Sequence, residues 1–243
     1  MRLVRFLLLA TIAALATGCV TQQACSGVQS TDRMICAMNR DPDISRQQIQ
    51  ALADQAVRER TALVGFLGND VGPIAVIVRD KGNAFHKPPA TIHIPSRLIR
   101  KSHAITAHEI THLLTQGWAS RVLKEGLAVY AQQRFGEQQG WPNYRRSVHA
   151  AARHWLSDKR VAIRTLEDAE TTFRTAQPGE TERKLAAYSL AGSWVSWILD
   201  MKLDGDITRF MSQLYRSGDY EGVLKQPAEG LEQEWRAFID LKW

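Results

Sequence analysis

Apolar residues at Ile49, Leu52, Ala53, Ala56 and Val57 recur at helical spacing behind Ser45-Arg46-Gln47-Gln48, a stretch that reads as a capping box. The helix expected there runs to about Leu67 and stops at Gly68-Asn69-Asp70. The pattern then changes period. Ile74 to Val78 is a β-branched run entered through Gly72-Pro73 and left through Asp80-Lys81-Gly82-Asn83, and Thr91-Ile92-His93-Ile94 is a second such run closed by Pro95. Both predict strands. Beyond Leu98 the pattern is helical throughout. Ser102 is placed to cap one helix that ends near Gly117, and Ser120 to cap a second that runs to Phe135 with Gly136 behind it. Amphipathic segments follow over about 143–157, 183–203, 206–216 and 228–240. Within 183–203, Ala187, Ala191, Trp194, Val195 and Ile198 share one face. The fold class expected is α+β, with a small N-terminal sheet packed on a helix and a mainly helical C-terminal part.

The stretch before this pattern reads differently. Met1-Arg2-Leu3-Val4-Arg5, an apolar run from Phe6 to Ala16 and Thr17-Gly18-Cys19 describe a secretory signal too short for an ordinary membrane span. Leu15-Ala16-Thr17-Gly18-Cys19 also resembles a bacterial lipobox, which would lipidate Cys19, although Ala16 stands where the usual pattern has Leu. The expectation is an exported, cell-envelope lipoprotein anchored to a membrane on its periplasmic face; plain periplasmic or secreted protein, or an uncleaved anchor, is the alternative. Cys25 and Cys36 remain, an even pair suited to a disulfide in an oxidising compartment, with two unpaired thiols in a loose tail as the alternative. The expected organisation is a signal peptide at 1–18, a tether and disulfide loop at 19–44, an N-terminal part carrying the candidate site at 45–136 and a helical part at 137–243.

Charge narrows the partners. The chain carries 31 Lys and Arg against 25 Asp and Glu. Loss of residues 1–18 removes Arg2 and Arg5 and no acid, so the excess falls further. The remaining cations are scattered and no basic stripe interleaves with aromatics, so nucleic acid is not an expected partner. Oligomeric state is not legible.

The chemistry sits at His108-Glu109-Ile110-Thr111-His112, a His-Glu-x-x-His motif. On a helix its two imidazoles lie on one face about 6 Å apart, where they can grip one zinc ion, and Glu109 is placed to accept a proton from a water that zinc activates. Thirteen residues beyond His112, Glu125 offers a carboxylate. If the chain turns back at Gly117-Trp118-Ala119, Glu125 meets the histidines and completes a His, His, Glu set with the fourth position open. Trp118 stands where a third histidine would be needed in the metzincin pattern, and Glu137 lies beyond the helix.

These two segments, with Glu125-Gly126-Leu127-Ala128-Val129-Tyr130, resemble the gluzincin, or peptidase MA-like, zinc metalloproteases. The resemblance implies a zincin-like fold, a zinc cofactor held by His108, His112 and Glu125, and hydrolysis of a peptide or protein substrate with Glu109 as the base. It implies that Thr91, Ile92, His93 and Ile94 form an edge strand that pairs with the substrate. It also makes Tyr188, at the start of Ala187-Tyr188-Ser189-Leu190-Ala191-Gly192, the candidate that steadies the oxyanion, with a core tyrosine as the alternative. Lys124 stands where many relatives carry Asn, Val129 where thermolysin-like members keep an acid, and no Gly-x-Met-Glu-Asn segment precedes the motif. The partners that orient the histidines are open; His103, Asp158 and Asp168 are candidates. His86 and His93 either line the cleft or are simply packed or solvated, and His149 and His154 read as a helix surface. Trp194 and Trp197 read as core, with a substrate groove as the alternative. The competing function is a lipid-anchored binding or scaffold protein that keeps a zinc site without catalysis.

Overall fold

The computed structural model describes residues 25–117, 119–143, 146–177 and 179–243. The signal segment and Cys19 lie outside the described residues.

Helix α1 (Arg46–Leu67) begins where the capping box predicts. Ser45 Oγ accepts the Gln48 N–H, the Gln48 side chain accepts the Ser45 N–H, and Gly68 ends the helix in the left-handed region at φ 70°. Five strands form one sheet in the order β1-β2-β3-β5-β4: β1 (Val28–Gln29), β2 (Ile35–Asn39), β3 (Ile74–Arg79), β4 (Phe85–Lys87) and β5 (Thr91–Pro95). β2, β3 and β5 run parallel, and β1 and β4 add antiparallel edges. Ile35, Ala37, Val76, Val78, Ile92 and Ile94 are buried on the sheet face against Ile49, Leu52, Ala53 and Leu63 of α1 and Ile110 and Leu113 of α3 (Thr106–Leu114). This alternation puts one hydrophobic face under the helices, as a half-covered sheet requires.

Two features depart from the expected sheet. The segment read as a tether contains β1 and β2, and Cys25 is bonded to Cys36 within β2. Its buried positions, Ile35 and Ala37, alternate with the mixed Cys36 and Met38, too short a signal to stand out beside the polar residues around it. The strand over Thr91, Ile92, His93 and Ile94 is not an edge. Pro88-Pro89-Ala90 turns the chain back, and Phe85, His86 and Lys87 pair with His93, Ile92 and Thr91. β4 takes the edge position instead. Gln116 Nε2 holds this hairpin to the end of α3 by donating to the Pro89 carbonyl at 3.0 Å.

The helical part follows. α2 (Ser96–Arg100) is a single turn, α4 (Arg121–Phe135) is capped by Ser120, and α5 (Val148–Ser157) and α6 (Leu166–Thr175) pack on α7 (Thr181–Trp197). α7 runs on as a wider turn over Ile198–Lys202. α8 (Ile207–Arg209) likewise continues through Phe210–Tyr215, and α9 (Tyr220–Leu224) and α10 (Ala228–Lys242) close the chain. Neither α6 nor α9 was expected. Ala187, Ala191, Trp194, Val195 and Ile198 are all fully buried, and Trp194 packs with Trp197, Tyr220 and Trp235, so both Trp194 and Trp197 belong to the core. His149 does not lie on an open helix surface: its Nδ1 is 2.8 Å from Ser193 Oγ, which also accepts Trp235 Nε1–H. Among the described residues no helix is long and apolar enough to cross a membrane.

α4 and α7 meet at two glycines. A Cβ at Gly126 would collide with the Ala191 carbonyl and Val195, and one at Gly192 would collide with Val129 and Val148. Gly126→Ala is therefore expected to lower the unfolding free energy in urea by about 1–3 kcal/mol. Gly65→Ala, in α1 with open space around it, should raise it by about 0.5–1 kcal/mol by stiffening the unfolded chain.

Burial lowers the His149 pKa to about 4. The neutral ring is the folded form, so its contribution is present above the unfolded value near 6.5 and lost as pH falls toward 4. Urea unfolding at pH 7 and pH 4 should show a loss on the order of 3 kcal/mol from this residue, at about 1.4 kcal/mol per pH unit, and a flatter profile in His149→Gln.

Candidate metal centre

α3 starts without a side-chain cap of its own. Its first residue follows Ile105, which offers no acceptor, and Ser102 lies upstream with φ at 52°. Neighbouring elements satisfy the helix start instead. Gln132 of α4, fully buried, accepts the His108 backbone N–H on its Oε1 at 3.0 Å. From α1, Gln55 Nε2 donates to the Ala104 carbonyl at 3.2 Å and to Thr106 Oγ1 at 3.0 Å, and the Thr106 hydroxyl donates to Glu59. Burial raises the Glu59 pKa although Thr106, Gln55 and the Glu137 N–H all donate to it. These contacts set the depth and rotation of α3 against both α1 and α4.

α4 returns beside α3 after a connection through Gly117, whose φ of 137° suits glycine. Trp118 lies outside the described residues. Ser120 Oγ accepts the Leu123 N–H at 3.2 Å, which starts α4 so that Glu125 falls in its second turn and faces the histidines. The three side chains converge. His108 Nε2 and His112 Nε2 are 3.1 Å apart, and Glu125 Oε2 is 3.1 Å from His112 Nε2 and 3.4 Å from His108 Nε2.

That triangle suits a metal ion. Four donors at 2.0–2.1 Å from a tetrahedral zinc are separated by about 3.3–3.4 Å, close to the spacing seen here. Two nitrogens and a carboxylate are also a donor set that zinc takes. All three residues are buried, His108 and His112 to 3 % exposure and Glu125 to 9 %. Burial disfavours the charged imidazole and lowers the His112 pKa. Burial works the other way on Glu125, but His112 and His108 beside it outweigh that and hold its carboxyl well below the usual range. Neutral imidazole with an ionised carboxylate is the state in which these groups donate to a metal. The buried residues His108, His112 and Glu125 thus form a group that could hold a metal ion.

Other candidate residues sort by position. Glu109 is 4 % exposed and brings a carboxylate oxygen within 4.8 Å of a ring nitrogen of His112. Tyr188 of α7 stands on the far side, its ring 5.9 Å from His108, 4.8 Å from Trp141 and 5.1 Å from Phe173. Burial, with the Glu125 and Glu109 charges added, pushes its pKa far up, so the phenol stays an O–H donor. Thr91 and His93 share the sheet face turned away from α3, where His93 stacks on Phe85 at 4.2 Å. They do not join the centre. The orienting partners considered from sequence do not reach the ring nitrogens: among the described residues the Nδ1 atoms of His108 and His112 are buried without a hydrogen bond. Asp158 binds Arg160 and Asp168 closes the capping box of α6. Packing orients the rings instead. Trp141 lies 4.6 Å from His108 and His86 lies 4.6 Å from His112. Trp141, Gln132 and Glu59 carry no motif, and only the tertiary fold brings them here.

Comparison with protein-family models, curated proteins and solved structures gives no match.

Zinc added to the metal-stripped chain is expected to bind at one ion per chain and to raise the thermal midpoint with its concentration. His112→Ala and Glu125→Ala should each weaken binding by at least about 100-fold in a competition titration, because each removes a direct donor and not merely an orienting group. Asp168→Asn should leave it unchanged.

Proposed function

We propose that this protein is a zinc-dependent metallopeptidase of the gluzincin kind, cleaving peptide bonds in the cell envelope. The observation that carries the reading is the convergence of His108 Nε2, His112 Nε2 and Glu125 Oε2 within 3.1–3.4 Å of one another, with the Glu109 carboxylate beside them. His108, His112 and Glu125 would hold the ion, and zinc bound there would supply a Lewis acid and a water acidified toward about pKa 7.

The remaining work falls to this chain's own groups. Glu109 accepts the proton of the attacking water and passes it to the leaving amine, which needs a carboxylate close to the centre but outside the donor set. The Tyr188 O–H donates to the oxygen on which charge develops. β4 is the terminal strand of the sheet next to α3 among the described residues, and an extended peptide can add to its outer side as a further strand. Such pairing holds a backbone with little regard to its side chains. The envelope location and the lipid on Cys19 rest on the N-terminal sequence, and a membrane-fractionation experiment with Cys19→Ala tests them.

A second reading has one observation in its favour. Among the described residues the Nδ1 atoms of His108 and His112 have no acceptor of the kind that usually tunes catalytic zinc histidines, which suits a binding or scaffold protein with a metal kept for structure.

A diverse peptide mixture incubated with the zinc-loaded chain and analysed by mass spectrometry separates the two readings. Cleavage by the wild type is expected, and none by Glu109→Gln, which should still bind one zinc. Tyr188→Phe should lower kcat by about 100-fold with little change in KM. Absence of cleavage in the wild type, with zinc bound, would favour the scaffold.

A further inference from the structure

Glu109 is a buried carboxylate with an incomplete set of partners. Its side chain is 5 % exposed, and among the described residues no hydrogen-bond donor reaches it. With no protein donor among the described residues to fix it, the orientation of the carboxylate is loosely defined. The nearest basic side chain is His86, whose Nδ1 is 3.7 Å from Glu109 Oε2. This is longer than a hydrogen bond but within the range that closes when a resting site takes up substrate.

The placement of His86 is not that of a loop residue. It is the middle residue of β4, paired with Ile92 of β5, so the sheet fixes its backbone. Side chains alternate along a strand, and Phe85 stacks on His93 on the outer face; His86 therefore points to the opposite face, toward α3. There its ring lies 4.6 Å from the His112 ring at an interplanar angle of 35°. The same imidazole thus brings a nitrogen near Glu109 and packs its ring against His112. Among the described residues His112 has no hydrogen bond at Nδ1, so this ring contact, together with that of the His108 ring, helps to hold its orientation.

We propose that His86 is a positioning residue for the reaction: its Nδ1–H steers the Glu109 carboxylate, while its ring holds His112 in place. The role rests on the reading of Glu109 as the base. It places the substrate-pairing strand and the control of the base on one element, so that a peptide seated on β4 lies against the residue that aims Glu109.

Three full-length variants test this. His86→Phe keeps the ring against His112 and removes the nitrogen. His86→Asn puts an amide donor where Nδ1 stands. Glu109→Gln removes the charge. His86→Phe should bind one zinc with affinity within about 3-fold of wild type and keep KM, while kcat falls by about 10–100-fold. His86→Asn, compared in its zinc-saturated form, should recover a substantial part of that loss, while binding zinc more weakly because it lacks the ring against His112. A readout independent of turnover comes from long-range 1H–15N spectra of the metal-free chain: Glu109→Gln should move the His86 ring-nitrogen resonances, and Gln50→Ala, remote in α1, should not. Unchanged kcat in His86→Phe, or unmoved His86 resonances in Glu109→Gln, would overturn the proposal. Loss of zinc by His86→Phe would overturn it as well, by making His86 a metal donor. If the wild type cleaves nothing, the proposed hydrolase fails, and the resonance shifts alone decide whether His86 engages Glu109.

Discussion

The hydrogen bond from the His108 backbone N–H to the Gln132 side chain is the contact on which the rest of the centre depends. The three candidate donors sit on two helices, and a shift of one ångström between those helices would open the 3.1–3.4 Å triangle. Gln132 belongs to the helix that carries Glu125, and the N–H it satisfies belongs to His108 itself. One buried amide thus settles an unpaired donor at the start of α3 and fixes the register of the two helices. Removing it would leave a buried N–H without a partner.

Behind that contact lies a second layer of the same logic. Gln55 and Glu59 of α1 bind the other side of the α3 start, and Gln116 fastens the β4–β5 hairpin to the α3 end. α1 is thereby tied to the start of α3 and the β4–β5 hairpin to its end, which keeps β4 beside His112. On the opposite side, Gly126 and Gly192 let α4 and α7 approach closely enough for Tyr188 to reach the neighbourhood of His108. The centre is walled by His86 on one side and by Trp141 and Tyr188 on the other. Aromatic faces replace the carboxylates that would more often orient metal-binding histidines.

Much of the framework was legible along the chain. The capping box at Ser45, the Gly68 stop, the strand at Ile74 and the Ser120 cap are local features whose physics is complete within a few residues. The segment 28–39 and the strand at Phe85 were not, because they are short and borrow their stability from partners: β2 from β3, β4 from β5. Ser102 misled for the converse reason. It has the chemistry of a cap, but the helix start is satisfied by Gln132, and such a partner 24 residues away leaves no local trace.

The sequence by itself determined the His-Glu-x-x-His spacing, the helix that puts His108 and His112 on one face, and the second helix that brings a carboxylate at Glu125. Those follow from periodicity and capping, which act over single turns. Only the tertiary structure decided which strand forms the edge, that His86 faces α3 while His93 faces away, and that Trp141 and Tyr188 close the site. Each of these depends on which surfaces bury each other. An unpaired sheet edge, an uncapped helix start and a half-covered ring are local deficits, and the chain makes them good with groups that are distant in sequence and adjacent in space.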